Sequence, residues 1–461
     1  MELTKFFKDQ TEVTPENLGE AIQQAIEIEI ATIPVYLYTY YSINRVPNQD
    51  AISGGLVQQL TSKGTPLAEA NKIALDLSAE IMVYANKAGA NIMSVVMEEM
   101  LHMALSSNLK QALVGPPSLT GRSPAGYPTM LPGHQPEFSI DLAPLSLNQL
   151  MTFLKIESPK PLPEAPELLK AIPYTTIGEF YGMIKSCIDS NDLTYDTSRP
   201  QLTPGNRYYA PNMIDTVYYD KQHRPRYVDA DDSGDLVHVV DRASADKAIT
   251  QIVEQGEGNV DAGFNPDGSV NCERPPKQDY DDPMDRELSH FEKFAEIYCR
   301  YNELSKLFQS YGLDGDIGKY FIVNFPTNPS TAKYPDAVGY PPGTLQAVST
   351  LLNAVYTYIF VMTEGCYRHS KGNTQYEIFM FGIHKSMIFI LNSICGDIQS
   401  LSYFLNGQYY TAAPTFENYP FGLLSSPKSQ LVQLYNNAVA LFPTISYLGQ
   451  RINDLPDVPL N

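Results

Sequence analysis

The chain has 461 residues, 43 % of them hydrophobic, enough to bury a sizeable core as one large domain with appendages or as two domains. A formal charge of −20 and a pI near 4.7 set up a field that repels nucleic acid and anionic membranes, so neither is expected as a partner and a soluble acidic protein is. The five cysteines, Cys187, Cys272, Cys299, Cys366 and Cys395, form no CxxC and no short pair, which fits reduced thiols without zinc-ligand spacing. The start, MELTKFFKDQTEVTPENLGEA, lacks the charged-then-apolar layout of a signal peptide, and a cytoplasmic location is expected.

Taken in chain order, the first helical pattern runs from Pro15 to Ser42, with Thr14 as cap and a stripe of Leu18, Ile22, Ala25, Ile26 and Ile33. Glu29 falls in the middle of that stripe, whereas Glu27 points away from it. A second helix is expected from Leu67 to Leu113, bending near Gly89 and stopping at Val114-Gly115-Pro116-Pro117. Its inner stripe is Ile92, Val95, Val96, Met103 and Ser106; Glu99 and His102 lie on it and Glu98 to its side.

Between residues 115 and 243 the composition turns to proline, tyrosine and short polar clusters. This long insertion is expected to hold helices at LNQLMTFLKI (147–156) and TIGEFYGMIKSCI (176–188) and an extended piece at DLVHVVD (235–241). A third helix follows Asp241 and runs to Gly258, with Ile249, Ile252 and Val253 inward; Glu257 lies nearer that face than Glu254. A fourth starts near Asp285, its stripe of Phe291, Phe294, Tyr298 and Tyr301 continued backward by Glu287 and His290. After it comes a proline-rich link (324–343), then two or three apolar helices to about residue 406, expected to pack on the bundle or to form a homodimer surface. The most apolar window, 344–362, is broken by Gln346 and Asn353 and reads as a buried helix rather than a membrane span. The division expected is a bundle over 1–310 and a helical extension over 311–461.

Four helices thus offer Glu29; Glu99 with His102; Glu257 or Glu254; and Glu287 with His290. Single Glu, Glu-x-x-His, single Glu, Glu-x-x-His is the ligand order of ferritin-like dinuclear metal proteins. Carboxylates buried together repel one another and resist ionisation, so an apolar bundle tolerates them when cations sit between them. Local hydrogen-bonded Glu–His pairs give the same spacing, so the weight rests on the order of the four and their shared helical phase.

The strings EIATIPVYLYTYYSI (29–43), EEMLHMALSSNLKQALVG (98–115), IVEQGEG (252–258) and LSHFEKFAEIY (288–298) resemble the ferritin-like family that includes the iminophenyl-pyruvate dimer synthases of bacterial bisindole biosynthesis. PTMLPGHQP and TIGEFY resemble that family's insertion, and the similarity covers roughly residues 15–305. The resemblance implies a mainly α fold: a ferritin-like four-helix bundle with an insertion between helices two and three and extra C-terminal helices. It implies an oxidase or oxygenase of specialised metabolism acting on a small organic, amino-acid-derived substrate. Two iron ions (manganese or mixed metal being the alternatives) and dioxygen as cosubstrate follow from it. The chain is much shorter than the large synthases, so fold and ligands transfer better than substrate. Tyr36, Tyr40, Phe180 and Tyr181 are the substrate-side candidates, with core or lid packing as their ordinary explanation. The contrasting expectation is a non-catalytic bundle that binds iron or acts as a scaffold.

Overall fold

The computed structural model describes residues 12–159, 173–203, 236–256, 258, 264–265, 268–272, 288–368 and 373–460. Its elements in order begin with α1 (Leu18–Tyr41), α2 (Gln49–Ser62) and α3 (Leu67–Leu113), an unbroken helix of 47 residues. Asn17, not Thr14, occupies the N-cap of α1: residues 14–17 close a turn in which the Asn17 N–H donates to the Thr14 carbonyl at 3.1 Å. The sequence pattern did not anticipate α2, which Asn48 caps and which packs along α3.

The insertion supplies two short antiparallel strands, β1 (Thr129–Met130) and β2 (Ser139–Ile140), and two helices, α4 (Leu147–Ile156) and α5 (Ile177–Ser190). Ser146 and Thr176 start these helices by accepting from the Gln149 and Glu179 amides at 3.1 and 3.0 Å. The segment 236–240 forms no strand. Then come α6 (Arg242–Gly256) and α7 (His290–Ser310). Asp241 opens α6 by accepting from the Ser244 amide at 2.8 Å, and a Ser289–Glu292 capping box opens α7. The fourth helix thus begins at His290 and not near Asp285, because the extended Ser289 caps it; Asp285 itself lies outside the described residues.

The bundle is α1, α3, α6 and α7. α1 packs most extensively on α3, α3 also meets α6 and α7, and the insertion helices flank them, α4 on α7 and α5 on α1 and α6. Nearly every residue of α1 is buried, which the single stripe read from its sequence understates. A helix covered on all sides has no polar face to keep. The second cover is the C-terminal extension: α8 (Thr344–Arg368) and a following run with π turns at Ile378–Ile383 and Ser386–Leu391. Two helices, Thr344–Arg368 and Thr374–Ser400, are long and apolar enough to cross a membrane; 83 % and 56 % of their most apolar windows are buried inside the protein. One continuous core joins bundle and extension, from Leu18 to Val458.

The reading of unpaired thiols is corrected at two positions: Cys272 and Cys299 form a disulfide that ties the segment before α7 to α7 itself. Their separation of 27 residues hides the contact from any short-range spacing rule. Cys187, Cys366 and Cys395 are buried free thiols.

Tyr36, Phe153 and Phe294 lock α1, α4 and α7 together, with ring centroids 4.7, 5.1 and 4.9 Å apart. Phe294→Ala, at a wholly buried position, is expected to cost about 3–5 kcal/mol in a denaturant titration. A loss well below ~1 kcal/mol would show that the three rings do not carry that junction.

Candidate metal centre

Glu29 from α1, Glu99 and His102 from α3 and His290 from the first turn of α7 are all buried. Ligand-type atoms of Glu99, His102 and His290 lie within 4.8 Å of one another. Glu99 Oε1 faces His290 Nδ1 at 2.9 Å and His102 Nδ1 at 3.9 Å, and the two imidazoles stack with centroids 5.2 Å apart. Each ring turns its other nitrogen outward: His102 Nε2 to Gln255 Oε1 at 3.1 Å, His290 Nε2 to Glu98 Oε2 at 2.8 Å. The i, i+3 spacing of Glu99 and His102 aims both at one point, as their shared stripe implies.

The carboxylates are tethered from outside. Thr32 donates to Glu99 Oε2 at 2.8 Å and Tyr181 to Glu29 Oε1 at 2.8 Å. Since Tyr181 spends its one hydrogen on Glu29, Ser106, 2.8 Å away, donates to the Tyr181 oxygen. A further acid comes from a place the ligand pattern did not reach: Glu157, just beyond α4, is buried, accepts from the Tyr36 hydroxyl and sets Oε2 at 3.5 Å from His290 Nδ1. Its signal was available, for Glu157 continues the buried stripe of Leu150, Phe153 and Leu154 by one turn.

Helical phase alone puts Glu98 to the side of the stripe, yet it is 2 % exposed and bonded to His290 and to the buried Lys293. The reason is tertiary: α7 packs against that side of α3. On α6, Ile252, Val253 and Gly256 line the cleft and Gln255 meets His102, while Glu254 is exposed. Glu257 and Glu287 lie outside the described residues. Of the aromatic candidates, Tyr36 and Tyr181 hold the carboxylates. Phe180 stacks on Tyr174 with centroids 5.1 Å apart, and Tyr40 packs against Tyr41 and under Arg45 at 5.1 and 5.2 Å.

Burial raises the Glu29 carboxyl well above the usual carboxylate range, and the charge and hydrogen bond of Glu99 add to this. Burial pushes Glu99 the same way, but the hydrogen bond and charge of His290 overcome it and hold that carboxyl at about 2. Burial and the nearby His290 lower His102 to about 4, leaving a neutral imidazole at neutral pH. Against the opposing effect of burial, the carboxylates of Glu157, Glu98 and Glu99, as acceptors facing its ring nitrogens, raise His290 well above its ordinary value. Burial and the Glu99 charge also raise Glu157. Glu29 and His290 are thus both shifted toward their protonated forms, in a site whose donor atoms suit cations.

Metal fits these residues. His290 Nδ1 is buried, and among the described residues it makes no well-aligned hydrogen bond, although carboxylate oxygens face it at 2.9 and 3.5 Å. Mixed imidazole and carboxylate donors suit iron, manganese or zinc. A cleft with about 260 Å³ of empty space, part of it open to solvent, reaches Glu29, Glu99, His102 and Glu157 between Ile177, Gly178, Ile252, Val253 and Gly256. A larger hollow of about 1030 Å³, counted the same way, lies between bundle and extension, is lined mostly by Met and aliphatic side chains, and shares no lining residue with the cleft.

A family model described as Ferritin-like matches residues 22–299, more than half of the 461 residues. The chain belongs to the ferritin-like family. A crystal structure of a ferritin-like protein from Caulobacter vibrioides is 18 % identical, with a TM-score of 0.45 over 83 % of this chain and 96 % of its own. No curated protein is similar enough to register as a match.

Tyr36→Phe removes a donor from the buried Glu157 carboxyl and is expected to cost about 1–3 kcal/mol, read by denaturation of the metal-free protein. Unchanged stability would mean that Glu157 finds another donor.

Proposed function

We propose that the chain is a dinuclear-metal oxidoreductase, an iron-dependent oxidase or oxygenase that uses dioxygen on a small organic substrate. The observation that carries this reading is the buried cluster of Glu99, His102 and His290, whose ligand-type atoms lie within 4.8 Å of one another. Glu29, Glu99, His102, His290 and Glu157 are the described residues that would hold the metals. The sequence pattern adds Glu257, which follows the end of α6 directly, and Glu287, which precedes α7. When bound, two redox-active metals supply the multi-electron reduction of dioxygen that an organic oxidation needs.

The protein's own groups do the rest. Thr32 and Tyr181 hold the outer lone pairs of Glu99 and Glu29, and Tyr36 holds Glu157, so each acid presents one edge inward. Ile177, Gly178, Ile252 and Val253 give the narrow cleft apolar walls, which keep bulk water from the acids. The resemblance to the iminophenyl-pyruvate dimer synthases supports an amino-acid-derived substrate. The insertion that brings Glu157 and Tyr181 to the site also favours catalysis over storage, since a storage bundle has no evident need of such a cover.

Anaerobic loading with ferrous iron is expected to give two equivalents per chain, and dioxygen with substrate is expected to be consumed over many turnovers while the iron stays bound. Folded protein that takes up no iron removes the metal reading. Uptake far beyond two equivalents with no substrate turnover replaces oxidation with storage.

The shifted groups add a linkage. Glu29 and His290 are both raised, so each holds its proton to higher pH than its ordinary value, and ligation must displace it. Metal uptake is expected to release protons and to weaken as pH falls. Calorimetric titration with Mn²⁺ in buffers of different ionisation enthalpy measures the number released; binding without proton release would contradict these protonation states.

A further inference from the structure

Glu98 and Lys293 have no place in the ligand pattern, yet they sit against it in full burial. Lys293 is 1 % exposed, and its ammonium reaches both oxygens of Glu98, Oε1 at 2.7 Å and Oε2 at 2.8 Å. Oε2 also faces His290 Nε2 at 2.8 Å. A buried ammonium has three donors and no acceptor, and a carboxylate beside it offers only lone pairs. The hydrogen on the edge between Glu98 and His290 therefore belongs to Nε2. His102 has a different support: its outer nitrogen meets the neutral amide oxygen of Gln255 at 3.1 Å.

We propose that Glu98 and Lys293 form a positioning pair that keeps a proton on His290 Nε2 and reserves Nδ1 for metal, making the two histidine ligands inequivalent. The proposal rests on the metal reading given above. The pair spans α3 and α7, with Glu98 next to Glu99 and Lys293 one turn beyond His290, so it also fixes the ring's direction across the bundle. An outer carboxylate strengthens the donor nitrogen of an imidazole and locks its rotation, and removing such a partner typically weakens metal binding about 10- to 100-fold. The charged support makes the His290 side the stronger of the two donor positions, and the amide support makes the His102 side the weaker.

Two readouts test this in the full-length protein: Co²⁺ titration followed by its visible absorption, and ¹⁵N NMR of histidine-labelled protein, metal-free and loaded with Zn²⁺. The His290 signals are identified by their loss in His290→Gln. Nε2 is expected to bear a proton with and without Zn²⁺; a bare Nε2 in either state overturns the proposal. Lys293→Met is expected to weaken Co²⁺ binding about 10- to 100-fold. Unchanged affinity and spectrum overturn it.

Lys293→Met leaves a buried carboxylate without its counter-charge and risks the fold, so the double variant Glu98→Gln/Lys293→Met is the second arm. It removes both charges and keeps an acceptor for Nε2. Recovery of thermal stability with weakened Co²⁺ binding and an altered spectrum supports a positioning role. Recovery of stability together with the wild-type affinity and spectrum reduces the pair to a structural ion pair and overturns it. Wild-type protein that binds no Co²⁺ fails the metal reading instead, and the Nε2 signal of the metal-free protein still decides whether the pair fixes that proton.

Discussion

The rest of the structure depends on the burial of several carboxylates in one apolar bundle. Glu29, Glu98, Glu99 and Glu157 are each at most 3 % exposed, and an isolated charge in such a place is prohibitively costly. Each acid is accordingly met by a donor from another element: Tyr181 for Glu29, Thr32 for Glu99, Tyr36 for Glu157, and Lys293 with His290 for Glu98. Burial and the charge of Glu99 raise Glu29, and the surrounding carboxylates raise His290, so the centre favours added positive charge. Cations there would supply it.

That constraint explains the architecture around the bundle. The insertion between α3 and α6 is part of the site: Glu157 directly follows α4 and α5 supplies Tyr181, so both build its wall. The extension beyond α7 covers the opposite side of α1 and α3, where the lining is Met93, Met97, Met100 and Leu37 rather than acids. One helix pair thus carries a polar interior on one side and an apolar seam on the other. Sealing both sides lowers the local dielectric and strengthens every hydrogen bond to the acids.

Much of this was legible because helical phase is a local property. The positions of Glu29, Glu99, His102 and His290 on inner faces follow from a rotation of 100° per residue, and α4 lies where its apolar period and the Ser146 cap put it. What phase cannot see is which neighbour meets the flank of a helix. Glu98 stands off the stripe of α3, and only the packing of α7 brings Lys293 and His290 against it. The Cys272–Cys299 bond is missing from sequence for the same reason. Glu157 was within reach, since it extends the stripe of α4, but it sits past the last helical residue, where an acid is ordinarily solvated. Glu254 illustrates the converse: a carboxylate on the right helix that faces solvent.

The central claim is that metal sits where these donors converge, and anomalous diffraction from crystals soaked in Mn²⁺ addresses it without reference to substrate or turnover. The account predicts an anomalous peak within bonding distance of Glu99 Oε1, His102 Nδ1 and His290 Nδ1, with Glu29 or Glu157 alongside. Manganese bound only elsewhere, with the Glu99–His290 contact intact and the centre free of anomalous signal, would contradict it.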